Sequence, residues 1–166
     1  AKFMGELASH YKKRFQVGRN ILDLEQSVLI NIDIQSLVKD SDRKMYLENC
    51  KIAGDGMWEL YKLTQDIKYA TRGLNHLAQT IDVAEELGYY KMVLSTYNHL
   101  GILCKSVFHE RENRTWGKRA KRYFEKSAEY SERPDVESDY SILQKTERDI
   151  DYLERKLKNG KRRKGR

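Results

Sequence analysis

Apolar side chains recur at every third or fourth position along much of the 166-residue chain. This spacing places them on one side of an α-helix, with polar and charged residues on the other. The last such stretch, from about Val136 to Leu157, has on its apolar side Tyr140, Leu143, Ile150, Leu153 and Leu157. One proline and ten glycines in the whole chain also favour helices over a turn-rich β fold. We therefore predict an all-α fold.

One segment fits two patterns. Residues 28–35 alternate between β-branched and mostly polar side chains, which is typical of a β-strand. The same region also has a regular helical spacing in Ile21, Leu24, Val28 and Ile32. No partner strand is visible elsewhere in the chain, so we predict a helix here as well.

Several residues mark helix ends. The sequence Lys39-Asp40-Ser41-Asp42 predicts a loop and a helix cap ahead of Met45. Asp66 is the expected N-cap of a later helix, and Gly88 is its expected C′ residue. The cluster Gly54-Asp55-Gly56 indicates either a helix break or a point of close packing.

One region resembles a tetratricopeptide repeat. It contains Tyr97, Leu100-Gly101, Cys104, Ala120, Phe124 and Pro134, similar to the aromatic, Leu-Gly, Tyr, Ala, Phe and Pro of that family. The resemblance implies a pair of antiparallel helices that cross closely at the glycine. It also implies a binding protein rather than a catalyst.

The same spacing between repeat-like residues, counted from Tyr97 in that region, can be applied to two earlier regions. From Met57 they select Leu60, Tyr61, Thr64, Gly73, Leu77 and Thr80. From Met4 they select Leu7, Ala8, Tyr11, Asn20, Leu24 and Ser27, with Ala8 in place of the glycine. The three units then begin near residues 1, 54 and 94, so we expect insertions at about 39–53 and in an elongated polar turn at 109–115.

The predicted architecture is a row of antiparallel helical hairpins. By the resemblance, residues 1–157 form a short right-handed superhelix of stacked hairpins, closed by a C-terminal capping helix. Residues 158–166 form a basic tail that contains no apolar residue and is expected to be disordered.

The net charge of +7 comes from the C-terminal end. From Arg155 onward there are eight basic residues and no acidic one, whereas residues 1–154 hold 24 basic and 25 acidic residues. The tail is compatible with a nuclear localisation signal, a phosphate-binding arm or an inert terminus.

No motif predicts catalysis. The four histidines are scattered, and neither His-Glu-x-x-His nor Cys-x-x-Cys spacing occurs. Cys50 and Cys104 are single thiols in helical pattern, which fits a reducing compartment. No apolar run reaches the ~20 residues of a membrane span. We expect an intracellular protein, cytoplasmic or nuclear, with no enzymatic activity, cofactor or metal.

The resemblance also implies where a partner binds. In tetratricopeptide folds the first helix of each pair lines a concave groove. The corresponding partner-binding candidates here are Lys12, Lys13, Trp58, Lys62, Asn98 and Lys105. The groove would be basic, which favours an acidic peptide or helix of another protein. Trp58 would be its aromatic anchor, or would pack between neighbouring repeats.

A second basic surface gives the alternative function. Lys118, Arg122 and Lys126 lie four residues apart and share one side of a helix. Together with tail residues Lys161, Arg162, Arg163 and Lys164, they could contact the phosphates of a nucleic acid or ribonucleoprotein. The sequence does not decide the oligomeric state.

Overall fold

The computed structural model describes residues 2–136 and 140–162, and these ranges contain helices and no strand. The helices are α1 (Lys2–Gly18), α2 (Ile21–Val38), α3 (Arg43–Thr64), α4 (Ile67–Glu86), α5 (Tyr90–Arg111), α6 (Arg114–Ser131) and α7 (Tyr140–Arg162). The all-α prediction is confirmed. Residues 28–35 lie inside α2, so the helical interpretation of that ambiguous segment was right.

Helices are joined in pairs by the same two-residue connection. Its first residue has a left-handed backbone: Arg19 with φ of 53°, Gln65 with 57° and Glu112 with 49°. This conformation turns the chain sharply at the helix end, where glycine is the more usual residue. Three hairpins result, α1 with α2, α3 with α4, and α5 with α6.

The second residue of each connection caps the following helix. The side-chain oxygens of Asn20, Asp66 and Asn113 each accept a hydrogen bond from a backbone N–H two residues on, at 3.1, 3.0 and 2.9 Å. The predicted cap at Asp66 is thus confirmed, and Gly88 has the expected positive φ of 74°. The expected elongated turn at 109–115 was wrong, because only Glu112 and Asn113 lie between α5 and α6.

These connections reveal a repeat of 46 to 47 residues. The left-handed residues are 46 and 47 positions apart, and so are the buried positions of the helices around them. The expected start of the second unit near residue 54 was therefore wrong. Residues 43–53 are not an insertion, because they form the first half of the continuous helix α3.

Small residues mark the closest helix approach in each hairpin, at Ala8, Gly54 and Gly101. A Cβ on Gly101 would lie 2.6 Å from Cδ1 of Phe124, and one on Gly54 would lie 2.6 Å from Cγ of Leu77. The carbonyl of Ala8 accepts a 2.9 Å hydrogen bond from the Ser27 hydroxyl. The Gly54-Asp55-Gly56 cluster is accordingly a close-packing point and not a helix break.

The chain divides into two compact units, Ala1–Val83 and Ala84–Arg166. In the first, α2 packs against both α1 and α3, and Gly73 of α4 faces Met57 of α3. In the second, α6 packs against α5 and α7. Each unit has its own buried apolar side chains, including Phe15 and Tyr61 in one and Phe124 and Leu153 in the other.

The last helix differs in its bounds from the prediction. It begins at Tyr140 and continues to Arg162, five residues beyond the expected boundary at Leu157. Residues 158–162 therefore continue α7, and residues 163–166 lie outside the described part. Among the described residues, no helix is both long and apolar enough to cross a membrane.

Candidate binding surfaces

Three of the predicted partner-binding residues occupy equivalent positions in the three hairpins. Lys12, Trp58 and Lys105 are 46 and 47 residues apart, the spacing that relates the hairpins, and each lies on a first helix. Their surroundings can therefore be compared helix by helix. The repeat starts taken from the resemblance, Met4, Met57 and Tyr97, had put Lys12 and Lys105 at one position and Trp58 at another, and the longer repeat puts all three at one position.

Trp58 forms a small aromatic and cationic cluster on α3. Its ring stacks on Tyr61, with the centroids 5.5 Å apart and the planes 16° apart. The Nζ of Lys62 lies 5.6 Å from the Trp58 ring centroid. Since Tyr61 is fully buried, it holds the half-buried indole against the helix surface. A rigid aromatic side chain with a cation beside it can contact a ligand at low entropic cost.

The first helix carries a basic surface. Lys12 and Lys13 are exposed on α1, and among the described residues neither has a carboxylate within ion-pairing distance. Their neighbour Arg14 instead pairs with the buried Asp23 of α2, at 3.3 Å. A shallow depression of about 520 Å³ on α1 reaches from Lys2 to Lys13 and includes the acidic Glu6.

Lys105 is already paired within its own unit. Its Nζ lies 2.6 Å from Oδ1 of Asp149 on α7 and 5.4 Å from the Tyr152 ring centroid. The side chains of Lys105 and Asp149 are only 28% and 14% exposed, so the pair is shielded from solvent. An acidic ligand would have to displace Asp149. The nearby Asn98 is half-buried on the same helix.

The sequence did not indicate Asp149 as a partner of Lys105, because 44 residues separate the two. The same contact region holds His109, whose Nδ1 lies 3.3 Å from the Tyr152 hydroxyl. Burial, Lys105 and Lys156 lower the pKa of His109 below its ordinary value. The contact between α5 and α7 is thus partly polar.

The predicted phosphate-binding surface on α6 has mixed charge. Lys118 and Arg122 are exposed and have no carboxylate partner among the described residues. Lys126, however, pairs with Glu129 at 2.6 Å. A depression beside it is lined by Arg122 and Lys126 together with Glu125, Glu129 and Glu132. The acidic residues weaken the attraction that a phosphate backbone would feel.

The remaining phosphate-binding candidates lie at the C-terminal end. Lys161 and Arg162 are in the last turn of α7. Arg163 and Lys164 lie outside the described residues.

The thiols of Cys50 and Cys104 are both buried. Burial raises the pKa of Cys104 to about 12, and burial also raises the pKa of Cys50. Both thiols therefore stay protonated near neutral pH, whereas a nucleophilic cysteine needs a thiolate. Within ranges 2–136 and 140–162, no three His, Cys, Asp or Glu side chains come together as metal ligands.

The fold defines a helical-repeat protein of three hairpins followed by a final helix. No protein-family model and no curated protein matches the chain. Among solved structures, the chain is similar to the DHF58 filament, with a TM-score of 0.51 and 13% identity over 97% of this chain and 95% of that chain.

A second similar structure is the de novo designed helical repeat protein DHR64, with a TM-score of 0.41 and 13% identity over 99% of this chain and 96% of that chain. At such low identity the first similarity establishes the fold alone. Membership of the tetratricopeptide family is not established, and the repeat of 46 to 47 residues exceeds the ~34 of that family.

Proposed function

We propose that this protein is a non-catalytic adaptor that binds an acidic peptide or helix of another protein through α1 and α3, the first helices of the first two hairpins. The observation that carries the proposal is the cluster of Trp58, Tyr61 and Lys62 on α3. Such a cluster offers an aromatic contact area and a positive charge at one place. Trp is also among the residue types that most often dominate binding energies.

The lysines of α1 add to the attraction for an acidic ligand. Antiparallel connection places the C-terminal halves of α1 and α3 at the same end of the first unit, so Lys12, Lys13 and Lys62 belong to that end. No carboxylate neutralises Lys12 or Lys13 among the described residues. Exposed lysines without partners steer an acidic ligand and add complementarity to the complex.

The pair of Lys105 and Asp149 supports the same chemistry from within the molecule. Lys105 occupies the position equivalent to Lys12, and it forms an ion pair with the carboxylate of Asp149. In the second unit this partner comes from α7. In the first unit we propose that it comes from the bound protein.

The test uses charge reversal on the first unit alone. Replacing Lys12 and Lys62 with Glu should weaken the binding of a labelled acidic helical peptide by tenfold or more, because the ligand is then repelled. Trp58→Ala should weaken it by roughly 2 kcal/mol. Lys105 is left unchanged, since Lys105→Glu would place two carboxylates together and destabilise the α5–α7 contact.

Lys44→Glu provides the matched control. Lys44 is exposed in the first turn of α3, at the other end of that helix from Lys62. Lys44→Glu changes the net charge by as much as either single variant, Lys12→Glu or Lys62→Glu, so weaker binding limited to those two variants identifies the surface. Unchanged peptide binding by the folded Lys12→Glu/Lys62→Glu variant would exclude it.

Phosphate binding through Lys118, Arg122 and the C-terminal residues is the alternative. Affinity purification before and after nuclease treatment separates the two functions. Partners that survive nuclease support the adaptor, and loss of every partner supports nucleic-acid binding.

A further inference from the structure

The outer side of α2 has an unusual surface. Leu22, Leu29 and Leu37 are 63%, 46% and 63% exposed. Their spacings of seven and eight residues place them within about 80° of one another around the helix axis. They therefore form one continuous apolar face, which we call the α2 outer face.

The opposite side of α2 is also apolar. Leu24, Val28 and Ile34 are buried against neighbouring helices. A helix with apolar residues on two opposite sides is normally covered on both. The apolar residues on both sides also explain why residues 28–35 resembled a strand in the sequence.

The other hairpins show that the fold does not require Leu22 and Leu29. The positions equivalent to Leu22 are Lys68 in α4 and Thr115 in α6, and those equivalent to Leu29 are Asn75 and Arg122. The second helices of the other two hairpins are therefore polar at two of the three positions, whereas the positions equivalent to Leu37 hold Val83 and Tyr130. Leu22 and Leu29 consequently serve something other than the folding of the hairpin.

The charged side chains of α2 itself all have one sign. Helix α2 contains Asp23, Glu25 and Asp33 and no Lys or Arg. Asp23 pairs with Arg14, and Glu25 accepts a hydrogen bond from the Tyr69 hydroxyl. Asp33 is exposed between Leu29 and Leu37, and among the described residues no cation lies within ion-pairing distance of it. This carboxylate is available to a basic partner.

We propose that the α2 outer face binds an amphipathic helix of a partner protein, whose aliphatic residues cover Leu22, Leu29 and Leu37 and whose Lys or Arg pairs with Asp33. This is the helix-in-groove type of recognition, in which an apolar stripe provides the affinity and flanking charges set the specificity. The surface is separate from the basic one on α1 and α3 and selects a ligand of the opposite charge. The protein would then join a basic helix to an acidic segment.

The experiment uses two synthetic peptides of the same length as α2, 18 residues, each held helical by a covalent crosslink. Both carry the same leucine stripe, flanked by Lys in one peptide and by Glu in the other. Binding to the full chain is measured by fluorescence anisotropy. The net charge of +7 opposes unspecific attraction of the Lys peptide, so binding of that peptide reports a local site.

The variants copy the residues that α4 has at equivalent positions. Leu22→Lys with Leu29→Asn should weaken binding of the Lys peptide at least tenfold, because both substitutions replace an apolar side chain that the peptide would cover. Asp33→Gln should remove most of the discrimination in favour of Lys at this face. Leu63→Asn is the matched control, since Leu63 is 47% exposed on α3 and lies off the α2 outer face. It should leave binding unchanged.

Three results would overturn the proposal. The first is failure of the Lys peptide to bind the unmodified chain, and the second is equal binding of that peptide by the double variant and the unmodified chain. The third is a dimer in sedimentation that the double variant converts to a monomer, which would mean that a second copy of the chain covers the face. Because none of these variants touches Lys12, Trp58 or Lys62, binding of an acidic peptide can be tested independently.

Discussion

Gly101 shows how a single missing side chain sets the distance between two helices. The ring of Phe124 fills the space where a Cβ would be, and this ring is completely buried. Neither the ring nor the backbone of α5 can move away without opening the core of the second unit. The glycine is therefore a packing requirement rather than a source of backbone freedom.

The first prediction concerns that close approach. Gly101→Ala should lower the free energy of unfolding by about 1–3 kcal/mol, because the added methyl group overpacks the core. Gly5→Ala is the control, since a Cβ on Gly5 meets no atom within 4 Å. It should stabilise α1 by roughly 0.5 kcal/mol through helix propensity. Urea unfolding measures both changes, and a neutral Gly101→Ala would contradict the close approach.

The second prediction concerns His76, which is half-buried on α4. Its Nδ1 is buried and has no hydrogen-bond partner among the described residues. Burial, and to a lesser extent Arg72, lower the pKa of His76 below its ordinary value of 6.5. Below pH 6.5 the imidazole of His76 binds a proton more readily in the unfolded chain than in the folded one. The free energy of unfolding is therefore highest above that pH and decreases as the pH falls further.

His76→Ile, which copies the equivalent Ile30 of α2, should reduce this decline of stability in acid. The measurement is the urea midpoint at about pH 7.5 and about pH 5.5. His109 also has a lowered pKa and will leave a smaller residual drop. Replacing the exposed His10 with Ile is the control. An identical acid response in the His76 variant and the unmodified chain would disprove the role of His76.

At the scale of whole elements, α7 is attached to its unit by both apolar and polar contacts. Leu153 is fully buried, the Arg114 guanidinium donates a hydrogen bond to the Leu157 carbonyl, and Asp149 pairs with Lys105. Leu157 also approaches the position of a Cβ on Gly117 of α6. These contacts cover the α5–α6 hairpin, which is the role expected of a capping helix.

The third prediction tests the polar part of this attachment. Asp149→Ala should destabilise the second unit by about 1–2 kcal/mol, because it leaves the half-buried Lys105 without its charge partner. Asp151→Ala is the matched control, as Asp151 is exposed on the same helix. Hydrogen exchange along α7 should accelerate only in the first variant. Equal exchange in both variants would mean that apolar contacts alone hold α7.

At the scale of the whole molecule, the helical hairpins repeat regularly along the chain, but the charged residues are not distributed evenly. The excess of basic residues lies from Arg155 onward, partly on α7 and partly beyond the described residues. The rest of the chain is nearly neutral. A function that depends on the net charge should therefore depend on the C-terminal end.

The fourth prediction concerns residues 163–166, which contain three basic residues and no apolar one. Their removal should leave the thermal midpoint nearly unchanged, since the segment has no apolar side chain to bury. If the chain binds nucleic acid through this end, the slope of log affinity against log salt should fall by about 0.9 for each phosphate that the shortened chain no longer neutralises. An unchanged slope would exclude residues 163–166 from phosphate binding.

The sequence by itself determined the elements of this protein. Apolar spacing identified helices throughout, and Asp66 and Gly88 marked true helix ends, because hydrophobic periodicity and capping depend on residues close in sequence. The sequence misplaced the start of the second hairpin. Arg19, Gln65 and Glu112 have a left-handed backbone at the sharp turns, but these residue types rarely adopt that conformation, so the turns could not be predicted from them.

The tertiary structure alone decided which surfaces are available. It paired Lys105 with Asp149 and left the α2 outer face exposed. Whether the basic surface and the α2 outer face bind partners stays a prediction. A helical pattern shows which residues share a side of one helix, but exposure and pairing depend on which other helices pack there, and that is set by contacts between residues far apart in sequence.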